Sequence, residues 1–345
     1  MTPQVSGRQL FLDAIAGKAT PRRPVWIMRQ AGRYLPEYRA LREKHSFEEL
    51  SGNAELAAAV TLQPLARFPL DAAIIFADLM SPVGALGLDV RFAPGPVMAH
   101  PVRTAADVKA LRVPTREEIA PPVMTALRSV KRAIGDQQAL LGFAGAPWSL
   151  AAYLVQGRGS PGFPALRAMA FADPVLLDAL LTRLTDLVID YVHAQVEAGA
   201  DAVQFFDTWA GVLSVESWTR LVRPHLVRLL DATSTMGRPR ILFLQDASHL
   251  VREYAQLPSE ALAVDWREDL PGLRAALGDG KALQGNLDPA LLLAGPAATR
   301  AATEALLRRM PARGHIVNLG HGITPEAPID SVHALIEAVH AERAP

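Results

Sequence analysis

Short apolar runs recur along the chain, separated by stretches in which apolar residues return every three or four positions. The runs predict eight strands, at Val25–Met28, Ala72–Phe76, Ala139–Phe143, Ala202–Phe206, Ile241–Leu244, Leu262–Val264, Ala282–Leu283 and Ile316–Asn318. The clearest helix is predicted over Pro174–Ala198, with Asp173 as its N-cap and Gly199 after its end. Strands that alternate with helices are typical of a parallel sheet with helical crossovers.

Eight such units favour an α/β fold of the closed (β/α)8 TIM-barrel type, as a single domain over residues 1–345. A doubly wound open sheet is the alternative, but no phosphate-loop motif of the GxGxxG or GxxxxGK[ST] type follows a strand. The proline-rich stretch Phe92–Pro101 predicts a hairpin or insertion between the second and third units. The N-terminus, with Arg8 and Asp13 among apolar residues, predicts an amphipathic helix and not a secretory signal.

Composition removes several classes of protein. The chain has 345 residues, 35 basic and 35 acidic, and no cysteine. Disulfide frameworks, thiolate zinc sites, iron–sulfur clusters and cysteine nucleophiles are therefore excluded. A formal net charge of zero argues against a general nucleic-acid binder, and no apolar run is long enough for a membrane-spanning helix. We expect a cytoplasmic protein that binds neither nucleic acid nor membranes.

Arginine is concentrated in one segment. Although 30 of the 35 basic residues are arginine, a GC-rich coding bias accounts for much of that excess. Residues 21–42 nevertheless carry a net charge of +5, because Glu37 is the single acid among six arginines, namely Arg22, Arg23, Arg29, Arg33, Arg39 and Arg42. Since arginine binds planar anions with two parallel hydrogen bonds, the segment predicts a local anion site in a neutral chain.

In a barrel of parallel strands, the side chains that follow the strands meet at one rim, where the chemistry occurs. Those positions hold Arg29 with Arg33, Asp78, Pro147 with Trp148, Asp207 with Thr208, Asp246, Asp265, Asn286 with Asp288, and His321. Asp78 ends a buried apolar run, so it either caps the next helix or pairs with a nearby arginine, or it faces a cationic or N–H-rich ligand in a water-poor cleft. His321 lies between two glycines, which favours a ligand contact.

One interpretation from these positions is an enol-forming barrel with a magnesium site built from Asp207, Asp246 and Asp265. That chemistry also requires a lysine or histidine base at the rim. Lys281 precedes its strand and therefore lies at the opposite end, which argues against both this chemistry and a lysine Schiff base. No HExxH motif is present, so no metal site is predicted.

The segments PVWIMRQAGRYLPEYR and GFAGAPWSL closely resemble motifs of the uroporphyrinogen decarboxylase family. The resemblance continues through IIFAD, QFFDTWAG, LQGNLDP and NLGHGI, in order, from about Arg8 to Val339. It implies an enzyme of haem and porphyrin biosynthesis that folds as a single (β/α)8 barrel. It also implies that this enzyme is a homodimer and acts without metal or organic cofactor. It further implies that the four acetate side chains of uroporphyrinogen III lose CO₂, which gives coproporphyrinogen III.

Carried over position by position, the resemblance implies that Asp78 is the catalytic carboxylate. The implied substrate-binding residues are Arg29, Gln30, Ala31, Gly32, Arg33, Asp78, Tyr153, Thr208 and His321, with Arg42 as a possible addition. Ser149 and Thr208 stand where threonine and serine, respectively, occur in other members, and both keep a hydroxyl group.

The chemistry agrees with this resemblance. Loss of CO₂ from an acetate arm leaves a carbanion unless the electrons have an acceptor, and a protonated pyrrole ring provides one. Asp78 would stabilise that cation electrostatically, while Arg29, Arg33, His321 and a water are the candidate proton donors. Two rivals remain, a tetrapyrrole carrier with the same pocket and a corrinoid or thiol methyltransferase of this barrel class. The latter generally uses zinc held partly by cysteine, which this chain lacks.

Overall fold

The protein is described by a computed structural model, which covers residues 5–93 and 95–342. Its strands, in chain order, are β1 (Ala72–Ile74), β2 (Val90–Phe92), β3 (Pro96–Met98), β4 (Ala139–Gly145), β5 (Ala202–Asp207), β6 (Arg240–Leu244), β7 (Ala261–Val264), β8 (Ala282–Gln284) and β9 (His315–Ile316). Within the described residues, seven of them form a curled parallel sheet in the order β1-β4-β5-β6-β7-β8-β9. The other two, β2 and β3, pair as an antiparallel hairpin.

Helices connect and cover the strands. They are α1 (Gly7–Ile15), α2 (Pro36–Arg42), α3 (Phe47–Gly52), α4 (Ala54–Arg67), α5 (Ala105–Ala110), α6 (Pro121–Ile134), α7 (Pro147–Gln156), α8 (Pro164–Ala172), α9 (Pro174–Glu197), α10 (Val215–Leu221), α11 (Arg223–Thr233), α12 (Val251–Ala255), α13 (Leu270–Leu277), α14 (Pro296–Arg309) and α15 (Ile329–Ala341). Short 3₁₀ helices lie at Val83–Leu86, Arg116–Glu118, Ala210–Val212, Ser234–Met236, Ser248–Leu250 and Pro289–Ala294. In the part of the chain that the structure describes, no helix is long and apolar enough to cross a bilayer.

The central strands are buried on both faces. Every residue of β4, β6 and β7 is buried, which explains why these strands appear in the sequence as continuous apolar runs. Seven of the eight predicted strands are confirmed, as are the parallel pairing and the predicted hairpin. The long helix is also confirmed: Asp173 accepts a hydrogen bond from the Leu176 N–H (3.0 Å), and Gly199 has a φ of +111°.

The prediction of a strand over Val25–Met28 is wrong. Only Val25 pairs, in an isolated parallel bridge to Val317. The Trp26 N–H completes this bridge by donating to the Val317 carbonyl (3.3 Å). The two N–H groups after it donate to side chains and not to a neighbouring strand: Ile27 N–H to Gln30 Oε1 (3.0 Å) and Met28 N–H to Asn318 Oδ1 (2.9 Å). The ladder therefore ends at Trp26, and the described strands form a curled parallel sheet of seven strands.

This segment still contacts both edges of the sheet. The N–H of Asp71, directly before β1, donates to the carbonyl of Val25 (2.9 Å), and the N–H of Val317, directly after β9, donates to the carbonyl of Pro24 (2.9 Å). The Asp71 carboxylate also accepts a hydrogen bond from the Val25 N–H (2.8 Å). The chain between Pro24 and Met28 thus lies in the gap between β1 and β9 and leads directly to Arg29.

Candidate functional site

The site lies at the carboxyl edge of the sheet, where all seven parallel strands end. Asp78 follows β1, α7 begins two residues after β4, Thr208 follows β5, and His321 lies in the loop after β9. Arg29 reaches the same edge from the segment between β1 and β9. The predicted rim is therefore present, although its first member is not carried by a strand.

Arg29 has a left-handed backbone, with a φ of +62°. This conformation is costly for a residue with a side chain and persists only where the surroundings impose it. Neighbouring bonds do so here: the Gln30 N–H donates to the Ile27 carbonyl (2.8 Å), and the Ile323 N–H donates to the Met28 carbonyl (2.9 Å). The backbone thus orients the Arg29 side chain towards the His321 loop.

The side chain of Gln30 forms hydrogen bonds with the backbone and is not available to a ligand. That side chain is fully buried, and its amide donates to the Ala72 carbonyl (3.0 Å) while its oxygen accepts from the Ile27 N–H. By contrast, the N–H groups of Ala31, Gly32 and Arg33 donate to no acceptor within the described part of the chain. Any contact of this segment with a ligand would therefore come from these N–H groups and from the exposed side chains of Arg29 and Arg33.

Both glycines beside His321 permit a close approach. A Cβ at Gly320 would lie 2.2 Å from the Trp266 backbone nitrogen. A Cβ at Gly322 would lie 2.3 Å from Cδ and 2.7 Å from Cγ of Arg29, far inside the ordinary separation of carbon atoms. The Arg29 side chain therefore lies against the bare backbone of Gly322, and this contact sets its direction.

We expect Gly322→Ala to displace the Arg29 guanidinium while leaving the protein folded, because the side chain in the way is flexible and the backbone of Gly322 is not left-handed. The Michaelis constant for an anionic substrate should rise about tenfold, since a displaced guanidinium loses a charge-assisted hydrogen bond. Gly52→Ala is the matched control, because a Cβ there would meet nothing within 4 Å. A Gly322→Ala enzyme with an unchanged Michaelis constant would contradict this role.

One carboxylate oxygen of Asp78 is held by the backbone, whereas the other accepts no hydrogen bond from the described residues. Its Oδ1 accepts a hydrogen bond from the Met80 N–H (2.8 Å), and its own N–H donates to Ser81 Oγ (3.1 Å). Burial raises its pKa from 3.8 to about 6, against the opposing influence of the Met80 N–H and the positive charge of Arg29. Asp78 thus caps a turn, as one interpretation of the sequence expected, and also offers a poorly hydrated oxygen beside a guanidinium.

Arg29 is exposed as a whole residue. Its guanidinium is nevertheless partly desolvated by the surrounding protein, and this desolvation lowers the pKa of the guanidinium. The negative charge of Asp78 opposes that decrease, whereas the positive charge of Arg33 contributes to it. These mutual effects indicate that Arg29, Arg33, Asp78 and Tyr153 lie near one another at the carboxyl edge of the sheet, in a region that we call the cleft. Two cations and one carboxylate leave this cleft with a net positive charge, which suits an anionic ligand.

Aromatic rings form one wall of the cleft. Tyr153, on α7, packs edge-on against Trp209 (ring centroids 6.2 Å apart) and Phe163 (5.9 Å). Burial raises the pKa of Tyr153, and the Asp78 charge raises it further, so its hydroxyl keeps its proton at neutral pH. Thr208 precedes Trp209 in the chain and is half-buried. A flat apolar molecule with polar substituents matches such a wall.

His321 is a neutral imidazole at pH 7. Burial and the positive charge of Arg29 together lower its pKa to about 4. Its ring lies 6.2 Å from that of Phe243, at the end of a row of aromatic rings from β4, β5 and β6. His321 can therefore give or accept a hydrogen bond in the cleft without adding positive charge.

The three aspartates of the magnesium interpretation do not converge. Asp207 is buried and bonded to Ser149 and Tyr254, and burial raises its pKa to about 6. Asp265 is buried against Arg267 (2.9 Å), whereas the Asp246 side chain is 73% exposed. No group of three or more His, Cys, Asp or Glu side chains in the described residues could hold a metal ion. The arrangement gives no support to a metal-dependent enol mechanism.

The arginine-rich segment is only partly an anion site. Arg22 forms two bonds with Asp71 (2.6 and 2.7 Å), and Arg23 is buried and pairs with Glu342. Arg39 donates to the carbonyls of residues 33 and 34 (3.0 and 3.1 Å), and Arg42 donates to the His45 carbonyl. The prediction of one anion site with a charge of +5 is therefore wrong in extent, because Arg22 and Arg23 are neutralised by acids from distant segments.

Two further residues near the cleft were not among the candidates predicted from the sequence. Tyr191, in α9, is buried with its hydroxyl unpartnered among the described residues, and the charge of Asp78 raises its pKa further after burial. Its helical spacing marked it only as a core position. The positive charge of Arg267 lowers the pKa of His321. The guanidinium carbon of Arg267 lies 4.2 Å from the centroid of the Trp266 ring. Its place two residues after Asp265, just past β7, was a signal that could have found it.

Comparison with known proteins decides the family. The sequence model of the family described as "Uroporphyrinogen decarboxylase (URO-D)" matches residues 6–342. The chain belongs to the uroporphyrinogen decarboxylase family. This membership confirms the resemblance found in the motifs, and with it the prediction of a carboxy-lyase of porphyrin and haem biosynthesis.

Relatives agree with this assignment. A protein of Geobacter sulfurreducens named uroporphyrinogen decarboxylase is 42% identical over 331 residues, which is 96% of this chain and 97% of that protein. One of Syntrophotalea carbinolica with the same name is 43% identical over 96% of each chain. Among solved structures, a methyltransferase from Methanosarcina mazei covers 98% of this chain and 99% of its own, with a TM-score of 0.78 at 20% identity. That last likeness shows a shared fold.

Proposed function

We propose that this protein removes CO₂ from the four acetate side chains of uroporphyrinogen III and so produces coproporphyrinogen III. The observation that carries this proposal is the carboxylate of Asp78, one oxygen of which accepts no hydrogen bond from the described residues while the positive charge of Arg29 acts on the group. A tetrapyrrole offers the matching groups: pyrrole N–H donors at its centre and carboxylates at its periphery. Asp78 would accept the pyrrole hydrogen bonds, while Arg29 and Arg33 would bind the carboxylates.

Burial makes the ionised form of Asp78 energetically unfavourable. A cation that forms next to the carboxylate during the reaction would offset this penalty. A proton added to the pyrrole ring makes it cationic, and the electrons of the breaking C–CO₂ bond then enter that ring. A second proton converts the exocyclic carbon into a methyl group, and the ring loses the proton that it had gained. A carboxylate held next to the ring stabilises the cation more than the neutral ground state, which is the condition for faster chemistry.

The remaining contacts would orient the macrocycle. Tyr153 and Thr208 would offer their hydroxyls, and His321 would offer a neutral imidazole. The N–H groups of Ala31 and Gly32 would bind an acetate or propionate oxygen as a pair of backbone donors. In this scheme the buried side chain of Gln30 fixes the backbone around Arg29 through its bonds to Ile27 and Ala72. Arg42 is an additional contact for peripheral carboxylates.

We also propose that the chain is a single domain in which the segment from Pro24 to Met28 takes the place of the eighth strand of a (β/α)8 barrel. Its bonds to Asp71 and Val317, on the two edges of the sheet, support this arrangement. We expect a cytoplasmic homodimer that needs no cofactor. Light scattering on the purified protein tests the dimer, and activity after exhaustive dialysis against a chelator tests the independence from metal.

The decisive experiment uses chemically reduced uroporphyrin under anaerobic conditions. We expect CO₂ release and the appearance of coproporphyrinogen, detected as coproporphyrin after oxidation. Binding of uroporphyrinogen without CO₂ release would instead identify a tetrapyrrole carrier. Stoichiometric zinc in the purified protein, together with methyl transfer to a thiol, would identify a methyltransferase of the same fold.

A further inference from the structure

A buried hydrogen-bonded network lies beneath the aromatic wall of the cleft. Its centre is Asp207, the last residue of β5, which is completely buried. Asp207 Oδ1 accepts from the hydroxyl of Ser149 (2.9 Å), and Oδ2 accepts from the hydroxyl of Tyr254. The Tyr254 hydroxyl in turn accepts from the indole N–H of Trp218 (2.9 Å). Because it is enclosed, this carboxylate cannot contact a ligand in the cleft.

The direction of every hydrogen bond in this network is fixed. The backbone N–H of Trp209 donates to Ser149 Oγ (3.1 Å), so the single proton of Ser149 is left for Asp207. The indole N–H of Trp218 likewise fixes the Tyr254 hydroxyl proton towards Asp207. The hydroxyl protons of Ser149 and Tyr254 therefore both point at Asp207. Only a carboxylate, which accepts at both of its oxygens, can accept these two hydrogen bonds.

The network grips the peptide groups of Trp209 from both sides. Ser149 accepts its N–H, and the indole N–H of Trp148 donates to its carbonyl (3.1 Å). Thr208 precedes this clamped residue directly. The Trp209 ring packs against Phe163 (4.8 Å between centroids) and Tyr153 (6.2 Å), so the clamp also reaches the wall that carries the Tyr153 hydroxyl.

We propose that Asp207 and Ser149 are positioning residues, which hold the Trp209 peptide and thereby place Thr208 and Tyr153 in the cleft without touching the substrate. This inference rests on the proposed function, since it assigns to the two buried residues a role in uroporphyrinogen binding. The same network explains a charged residue where a buried strand end would otherwise favour an apolar one.

The test compares Ser149→Ala with Ser149→Thr in the full-length enzyme. Alanine removes the acceptor of the Trp209 N–H, and we expect the Michaelis constant for uroporphyrinogen to rise and kcat/KM to fall about tenfold to a hundredfold, the range for a misplaced contact. Threonine keeps the hydroxyl and should restore both constants to within about threefold of the wild-type values. Asp207→Asn accepts only one of the two hydroxyl protons and should resemble Ser149→Ala.

Ser331→Ala is the matched control. Ser331 is also fully buried, and its hydroxyl donates to the Leu292 carbonyl (2.7 Å), remote from the Trp209 clamp. It should lower the melting temperature as Ser149→Ala does, yet leave the Michaelis constant unchanged when all enzymes are assayed well below their melting temperatures. An unchanged Michaelis constant in Ser149→Ala, or an equal rise in Ser331→Ala, would overturn the clamp. If the wild type itself releases no CO₂, the proposed function fails instead.

Discussion

Asp78→Asn is expected to lower the turnover of uroporphyrinogen about a hundredfold to a thousandfold while the protein stays folded. Asparagine keeps the oxygen that accepts from the Met80 N–H (2.8 Å), so the turn around the residue survives. It lacks the negative charge that would oppose a protonated pyrrole, and the loss of one preorganised electrostatic group costs about that factor in rate. Single-turnover measurements with saturating substrate would separate this loss from a loss of binding.

Asp288→Asn serves as the control for this change. Asp288 lies on the same rim but is exposed, and its Oδ1 accepts a hydrogen bond from the Ala290 N–H (2.9 Å), which asparagine can also accept. Its turnover should remain near the wild-type value. If Asp78→Asn turned over uroporphyrinogen as fast as the wild type, the electrostatic role of Asp78 would be wrong.

The same substitution should stabilise the folded protein at neutral pH. The pKa of Asp78 in the folded protein, about 6, lies above the usual 3.8, so the ionised carboxylate destabilises the fold above pH 6. This penalty diminishes as pH falls through 6, and it is absent below about 3.8, where folded and unfolded chains are both protonated. We expect Asp78→Asn to exceed the wild type in unfolding free energy by about 2 kcal/mol at pH 8. Denaturant unfolding between pH 5 and pH 8 should show the difference shrinking towards the acid end; a constant difference would contradict the raised pKa.

The sequence predicted strands best where burial acts on both faces. β4, β6 and β7 lie within two residues of their predicted bounds because their apolar runs are uninterrupted, and β5 does so although Gln204 interrupts its run. The segment Val25–Met28 has the same apolar pattern but loses its ladder to side chains, one of which, Asn318, is 290 positions away. A local pattern cannot reveal that competition.

The site follows the same rule. Asp78 and His321 could be found from the sequence because each follows a strand of the sheet, and parallel strands bring such positions together. Arg29 follows a strand that the sequence predicted wrongly, and it reaches the same edge from the segment between β1 and β9. The neutralisation of Arg22 could not, since its partner Asp71 is 49 positions away. The buried role of Asp207 was equally hidden: its position after a strand is that of a catalytic residue, whereas its partners Ser149 and Tyr254 place it under the cleft.

Arg29→Ala is expected to weaken uroporphyrinogen binding about tenfold to a hundredfold, because each charge-assisted hydrogen bond contributes about 1.5–3 kcal/mol. Turnover should fall as well, since the guanidinium orients the macrocycle over Asp78. Arg29→Gly should bind the substrate equally weakly but be the more stable of the two variants. Glycine accepts the left-handed φ of +62° without strain, whereas alanine does not.

A double-mutant cycle then tests whether Gly322 acts through Arg29. Added to the wild type, Gly322→Ala should raise the Michaelis constant; added to Arg29→Ala, it should change nothing, because the side chain that it displaces is already absent. Arg132→Ala, an exposed arginine on α6, controls for the loss of one positive charge from the whole protein. If Arg132→Ala and Arg29→Ala raised the Michaelis constant equally, Arg29 would act only through the net charge of the protein. If the effects of Gly322→Ala and Arg29→Ala on the Michaelis constant were additive, Gly322 would not act through Arg29.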